Sequence, residues 1–256
     1  MYSISNYSIC AACVIFFGYV TQTSIIQYIF YYKSSNTKWK TQSSRTEHVG
    51  EFYWFPILSN KPNRGYMHGP IALLNLVIAS VVAAITAECS VQRINYMQFD
   101  ELTSISAYTL LFQLVLAVVY ENVTEYYWHR LMHTKLCYAT FHKYHHFYKS
   151  PEPWDDMYIH PLEAFGYYCI LYAPPFLFPI HYTAFFAYMA IMGVCGILDH
   201  SGIRCALPGL YNTVDHDNHH LKFEVNYAFP FPYMDLLHGT FEGEWLGYTF
   251  KPQKMR

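Results

Sequence analysis

Charge is scarce in this sequence: Asp, Glu, Lys and Arg make up 13% of its 256 residues, about half the share usual in a soluble domain. Residues 1–32 carry none. The charges that remain nearly cancel, to a net charge of -2, so the chain has no basic excess with which to neutralise a phosphate backbone, and no nucleic-acid partner is expected. A glycine-rich phosphate loop is also lacking, which leaves nucleotide chemistry unsupported. The seven cysteines show no zinc-finger spacing; Cys10 and Cys13 fall inside an apolar run, where small-residue packing accounts for them. No linker, repeat array or low-complexity tract divides the chain.

What is present is apolar and aromatic. Hydrophobic residues make up 53% and aromatic residues 20%, with 26 tyrosines and five tryptophans, a composition that suits the aromatic belts of a membrane protein. A first apolar run, from about Ile9 to Tyr32, is long enough to cross roughly 30 Å of hydrocarbon as a helix. Because it lacks a basic start and a small-residue cleavage site, it is expected to be an anchor and not a signal peptide. A second span is expected from about Pro70 to Ala87, and a third from about Ser106 to Tyr127, leading into His129. Residues 164–198 are apolar but interrupted by Pro174, Pro175 and Pro179, which predicts a helical hairpin turning near Pro179 to Tyr182.

Charge placement tests this topology independently. With residues 33–66, 129–162 and 199–256 on one side, 15 of the 16 Lys and Arg lie there, and only Arg93 lies opposite. The positive-inside rule makes that side cytosolic. The expected fold is therefore all-α: an integral membrane helical bundle with a cytosolic, histidine-rich helical cap. Its regions are an N-terminal part with spans and a cytosolic loop (1–120), a histidine-rich part (121–240) that the resemblance described below makes catalytic, and a tail (241–256). Residues 33–66 and the tail after Glu242 read as surface or loop segments.

The cap is where the chemistry gathers. Eight of the 14 histidines fall in three clusters: His129 with His133, His142 with His145 and His146, and His216 with His219 and His220. Residues three and four apart share a helix face, so each cluster presents its rings together. Eight imidazoles exceed what one four-coordinate zinc uses, whereas two metals would employ them all. Neutral imidazole suits iron, zinc, copper and nickel, so the spacing leaves the metal open. Glu121 and Glu125 stand in register with His129 and His133, and at that depth they should face protein or water. Tyr126, Tyr127 and Trp128 read as interface anchors.

With HRLMH at 129–133, HKYHH at 142–146 and HDNHH at 216–220, the chain resembles the fatty acid hydroxylase/sterol desaturase superfamily of membrane di-iron enzymes over about Glu121 to Thr240. His160-Pro161-Leu162-Glu163 and Asp199-His200-Ser201-Gly202 look like its HPLE and DHSG elements, more as in 4-methylsterol oxidases and cholesterol 25-hydroxylases than in fatty acyl desaturases. Asn226-Tyr227-Ala228 looks like the segment after the last box. The resemblance implies two Fe ions held by His129, His133, His142, His145, His146, His216, His219 and His220, with His200 as a ninth ligand and His160 as a further candidate. It also implies O2-dependent hydroxylation or desaturation of a membrane lipid in the endoplasmic reticulum, with electrons from cytochrome b5 and its reductase. A sterol is the first choice of substrate, and a fatty acyl chain or sphingolipid the second.

Two departures from the family pattern stand out. Asp215 precedes His216 where many relatives have histidine, and Met234-Asp235 replaces a usual Trp-Asp. Asp199, Asp215, Asp217, Glu163 and Asn218 lie beside candidate ligands, either to accept a second ring N–H or as solvated loop residues. Two rival readings are a metal transporter, whose site would sit near mid-membrane, and a catalytically silent relative.

Overall fold

The computed structural model describes residues 4–32, 40–42 and 68–252. Most of segment 33–66, His48, the His68 side chain and residues 253–256 lie outside the described residues. Seven helices organise the rest: α1 Asn6–Tyr32, α2 His68–Val91, α3 Ala107–Met132, α4 Pro161–Leu171, α5 Tyr182–Asp199, α6 Thr213–Lys222 and α7 Tyr233–His238. Helices α1, α2, α3 and α5 are long and apolar enough to cross a bilayer, which marks a multi-pass membrane protein. The 11 residues of α4 are too few to span.

The expected spans form, and α3 runs on to Met132, so His129 rides on its last turn. The hairpin of residues 164–198 also forms, but its turn opens earlier than expected, after Leu171. Pro174 and Pro175 start a short helix, Pro174–Leu177, at positions where a missing N–H costs nothing. Ile180–His181 then pairs in parallel with Met97–Gln98. The tail is likewise more ordered than a loop: Gly243–Trp245 and Tyr248–Phe250 form an antiparallel hairpin. Its two turn residues, Leu246 and Gly247, both have positive φ, as a tight hairpin requires.

Small residues let the spans approach closely. Ala72, Ala79 and Ala83 of α2, with Leu76, share one buried cluster with Ala164, Tyr168 and Leu171 of α4 and with Ala184, Phe185 and Tyr188 of α5. Ser8 Oγ on α1 donates to Glu88 Oε2 on α2 at 2.6 Å. Irregular backbone beside a span must have its carbonyls satisfied from within, and two asparagines do this. Asn75 Nδ2 donates to the carbonyls of Met157 and Ile159, and Asn122 Nδ2 to those of Phe229 and Phe231. The C-terminal ends of α3 and α5 and the N-terminal end of α4 thus meet at one end of the bundle, where α6 closes over them.

Candidate metal centre

Box by box, different local structures aim the histidines. His129 lies on the last turn of α3 and His133 is its C-cap. The second box is not a continuous α-helix: Tyr138–His142 is a π-turn, with Lys143 N–H reaching Tyr138 O at 3.0 Å, followed by a 3₁₀ turn, His145–Phe147. Such wide turns recur at functional sites. The third box is the α-helix α6, capped by Asn212, whose side chain accepts the Val214 N–H. His200 is the C-cap of α5.

Nine rings converge, and they sort by space and not by box. One group comprises His129, His133, His142, His146 and His219; the other comprises His145, His200, His216 and His220. Within each group the candidate ligand atoms lie within 4.8 Å of one another. The second box is split, with His145 parted from His142 and His146. In the third box His216 and His220, one turn apart, face one group while His219 faces the other. His160 stands outside both groups: its Nδ1 accepts the Leu162 N–H at the start of α4, and its ring lies against Phe141 and Tyr144. His181 caps α5, and His238 bonds Tyr127 and stacks on Tyr126.

Backbone carbonyls set the tautomers. A carbonyl only accepts, so a ring nitrogen bonded to one carries the proton. His129 Nδ1 donates to Tyr227 O at 2.7 Å, His219 Nδ1 to Val225 O at 2.6 Å, His220 Nδ1 to Tyr148 O at 3.2 Å and His200 Nδ1 to Gly196 O at 2.8 Å. Their Nε2 atoms are therefore bare lone pairs aimed inward. In the first group, the Nε2 atoms of His133, His146 and His219 form a triangle with edges of 3.0–3.2 Å. With His219 Nε2 unprotonated, at most two protons are available for those three contacts. His129 Nε2 and His142 Nε2 are buried there without a partner. In the second group, His216 Nε2 lies 3.0 Å from His200 and 3.1 Å from His220, two bare acceptors of which it can serve one.

A cation among these nitrogens would resolve this frustration. Nitrogens at about 2.1 Å from one ion stand roughly 3.0 Å apart at right angles and roughly 3.4 Å apart in a tetrahedron. The observed 3.0–3.2 Å edges lie nearer the right-angled case.

Burial disfavours the charged form of most of these rings. Burial, then neighbouring imidazoles, hold His133, His145, His146, His216, His219 and His220 well below the ordinary histidine range, and burial takes His142 down to about 3. Burial also lowers His200, but its bond to Asp156, that residue's charge and the Gly196 carbonyl more than offset it, and the net shift is upward. Glu163, bonded to His142 Nδ1, is raised by burial to about 8. A dication on the far side of the His142 ring would favour its carboxylate form.

Of the residues expected behind the ligands, Glu163 bonds a ring, while others are engaged elsewhere. Asp199 accepts from Tyr211 at 2.7 Å, Asp217 from Thr41 and Gln42, and Asp215 faces Asn212. Asn218 lines an outer cleft beside Arg204 and Glu242. Sequence reasoning missed the carbonyls of Tyr148, Val225 and Tyr227, since any residue type supplies one. It also missed the weight carried by Asp235, which accepts the Tyr227 and Ala228 N–H groups and the Thr240 hydroxyl and so fixes the loop holding His129. Met234, at the departure from Trp-Asp, packs against Tyr126 and Tyr227. Glu121 is fully buried and bonded by Tyr188. Glu125 lines a cavity of about 70 Å³ that touches both groups, with Trp128, Ile159, Glu163, Tyr167 and Phe229.

Residues 114–240, which carry all nine rings, match the family model described as fatty acid hydroxylase. This region belongs to the fatty acid hydroxylase family. The chain is also similar to individual proteins. Human lathosterol oxidase is 28% identical over 140 residues, covering 52% of this chain and 47% of that protein. A Delta(7)-sterol 5(6)-desaturase of Gibberella zeae is 30% identical over 131 residues, covering 51% and 38%. Methylsterol monooxygenase 1 of Gallus gallus is 30% identical over 159 residues, covering 58% and 52%. The chain thus spans about half or less of the length of these relatives. No solved structure matches it.

Proposed function

We propose that the chain is an O2-dependent, non-haem di-iron oxidoreductase that hydroxylates or desaturates a C–H bond of a membrane sterol, with residues 121–240 as its catalytic region. The observation that carries this reading is the division of nine histidines into two adjacent cages of inward-facing nitrogens. His129, His133, His142, His146 and His219 would hold one iron, and His145, His200, His216 and His220 the other. When bound, the iron pair supplies the O2-dependent, two-electron oxidation of an unactivated C–H bond.

The protein's own part is orientation, neutrality and exclusion of water. Carbonyl acceptors lock four rings in the ligating tautomer, and burial disfavours protonation of most of the rings. The shared cavity has walls from α3, α4 and α5, and Trp128, Ile159 and Phe229 give it an apolar side on which a lipid would displace water. The sterol assignment is supported by the relatives' names, which are all those of sterol-oxidising proteins. The charge asymmetry supports a cytosolic face for the centre. An endoplasmic reticulum location and electrons from cytochrome b5 and its reductase complete the proposal.

The test is turnover in reconstituted vesicles. Iron-loaded protein supplied with O2 and reductant should add one oxygen to a sterol, or remove two hydrogens, as read by mass spectrometry. Turnover of acyl lipids alone would transfer the assignment to that substrate class. Two bound irons without turnover of any lipid would favour a silent relative, and metal flux across the vesicle a transporter.

A further inference from the structure

We infer that Asp156 is a positioning residue for the four-histidine group and ties that group to the N-terminal membrane helix. The inference rests on the proposed role of those histidines as an iron cage. Asp156 lies in the single 3₁₀ turn Pro153–Met157, and its two carboxylate oxygens serve two different elements. Oδ1 faces His200 Nδ1 at 3.2 Å, whose N–H also reaches Gly196 O at 2.8 Å. Oδ2 accepts from the Tyr19 hydroxyl of α1 at 2.8 Å.

The first contact sets a carboxylate beside the Nδ1–H that Gly196 O accepts and so braces the ring whose Nε2 lies 3.2 Å from His145 Nε2 and 3.0 Å from His216 Nε2. Elsewhere in this group, His145 Nδ1 and His216 Nδ1 are buried without a hydrogen-bond partner, so the orientation of the cage leans on His200 and on His220. The second contact is one of a pair. Eight residues along α1, Gln27 Nε2 donates to Glu152 Oε2 at 2.9 Å, and Tyr19 lies edge-on to Trp154 at 5.9 Å. Tyr19 and Gln27 are two helical turns apart and share a face. On a helix without any charged residue, polar groups at this depth need a protein partner, and these two find theirs in the segment that carries Asp156.

The experiment uses the full chain in lipid nanodiscs, loaded with Fe(II) and dialysed against graded chelator, with iron counted per chain. Asp156→Leu should lower the affinity for one of the two ions about 10–100-fold, the range for losing a ligand's outer hydrogen-bond partner, and leave the other ion in place. Tyr19→Phe, which does not touch the cage, should weaken the same ion by a smaller factor. Asp156→Asn keeps an acceptor for His200 and should restore most of the affinity. Two ions held at wild-type affinity in both Asp156→Leu and Tyr19→Phe would overturn the inference and leave the di-iron reading standing. Should Asp156→Leu lose both ions through misfolding, Tyr19→Phe decides: selective weakening supports the link, and unchanged binding overturns it. A wild-type protein that never holds a second ion would sink the di-iron reading and this inference with it.

Discussion

A histidine whose Nδ1–H is committed to a carbonyl has one nitrogen left to offer, and this chain makes that commitment for His129, His200, His219 and His220. Because the rings divide into groups of five and four, single substitutions should be selective. His219→Ala is expected to lose the ion of the five-histidine group, and His145→Ala that of the four-histidine group. Both should abolish turnover while membrane insertion is retained. Iron per chain and product formation, measured on the same preparation, check this; near-normal turnover in His145→Ala would contradict the ligand assignment. Asp235→Ala removes the acceptor for two backbone N–H groups and one hydroxyl. Leaving buried donors unmet costs about 1–3 kcal/mol, so its thermal midpoint should fall measurably in detergent.

At the scale of elements, two of the spans, α2 and α3, each position irregular backbone through one amide. Asn122→Leu strips the Phe229 and Phe231 carbonyls of their donor, and about 1–3 kcal/mol of stability should go with it, read as a lower unfolding midpoint. Recovery of the wild-type midpoint in this variant would show that the bridge contributes nothing. The spans themselves were legible from apolar runs, because lipid demands long uncharged helices. The three histidine clusters were legible from spacing. How they divide was not, since that depends on the π-turn at Tyr138–His142, which breaks the helical register assumed for the second box. The carbonyl partners have no residue signature at all. Asp156 had a faint one: Tyr19 and Gln27 are polar positions two turns apart on a helix that otherwise has no need of them. The C-terminal hairpin was missed because Leu246-Gly247 is not among the usual turn pairs.

For the whole molecule, burial links the centre to stability and pH. Seven rings outside the spans, His133, His142, His145, His146, His216, His219 and His220, have lowered affinity for protons in the fold. Below about 6.5, the ordinary histidine value, the unfolded chain therefore binds more protons than the folded one, and the stability present above that pH drains as pH falls. Glu163 and Asp215, raised to about 8 and about 7, act in the opposite sense, as do the upward-shifted Asp235 and His200. The seven rings outweigh these, so the thermal midpoint of chelator-treated protein should drop as pH is lowered from about 7.5 to about 5.5. A midpoint that rises would contradict this balance. Bound metal should raise the midpoint, because it binds the folded state alone.

The most direct measurement is the metal content of purified, detergent-solubilised protein by mass spectrometry. Two iron ions per chain, falling to one in His145→Ala and in His219→Ala, are the predicted result. A protein that carries no metal, a single ion, or zinc alone would contradict the account.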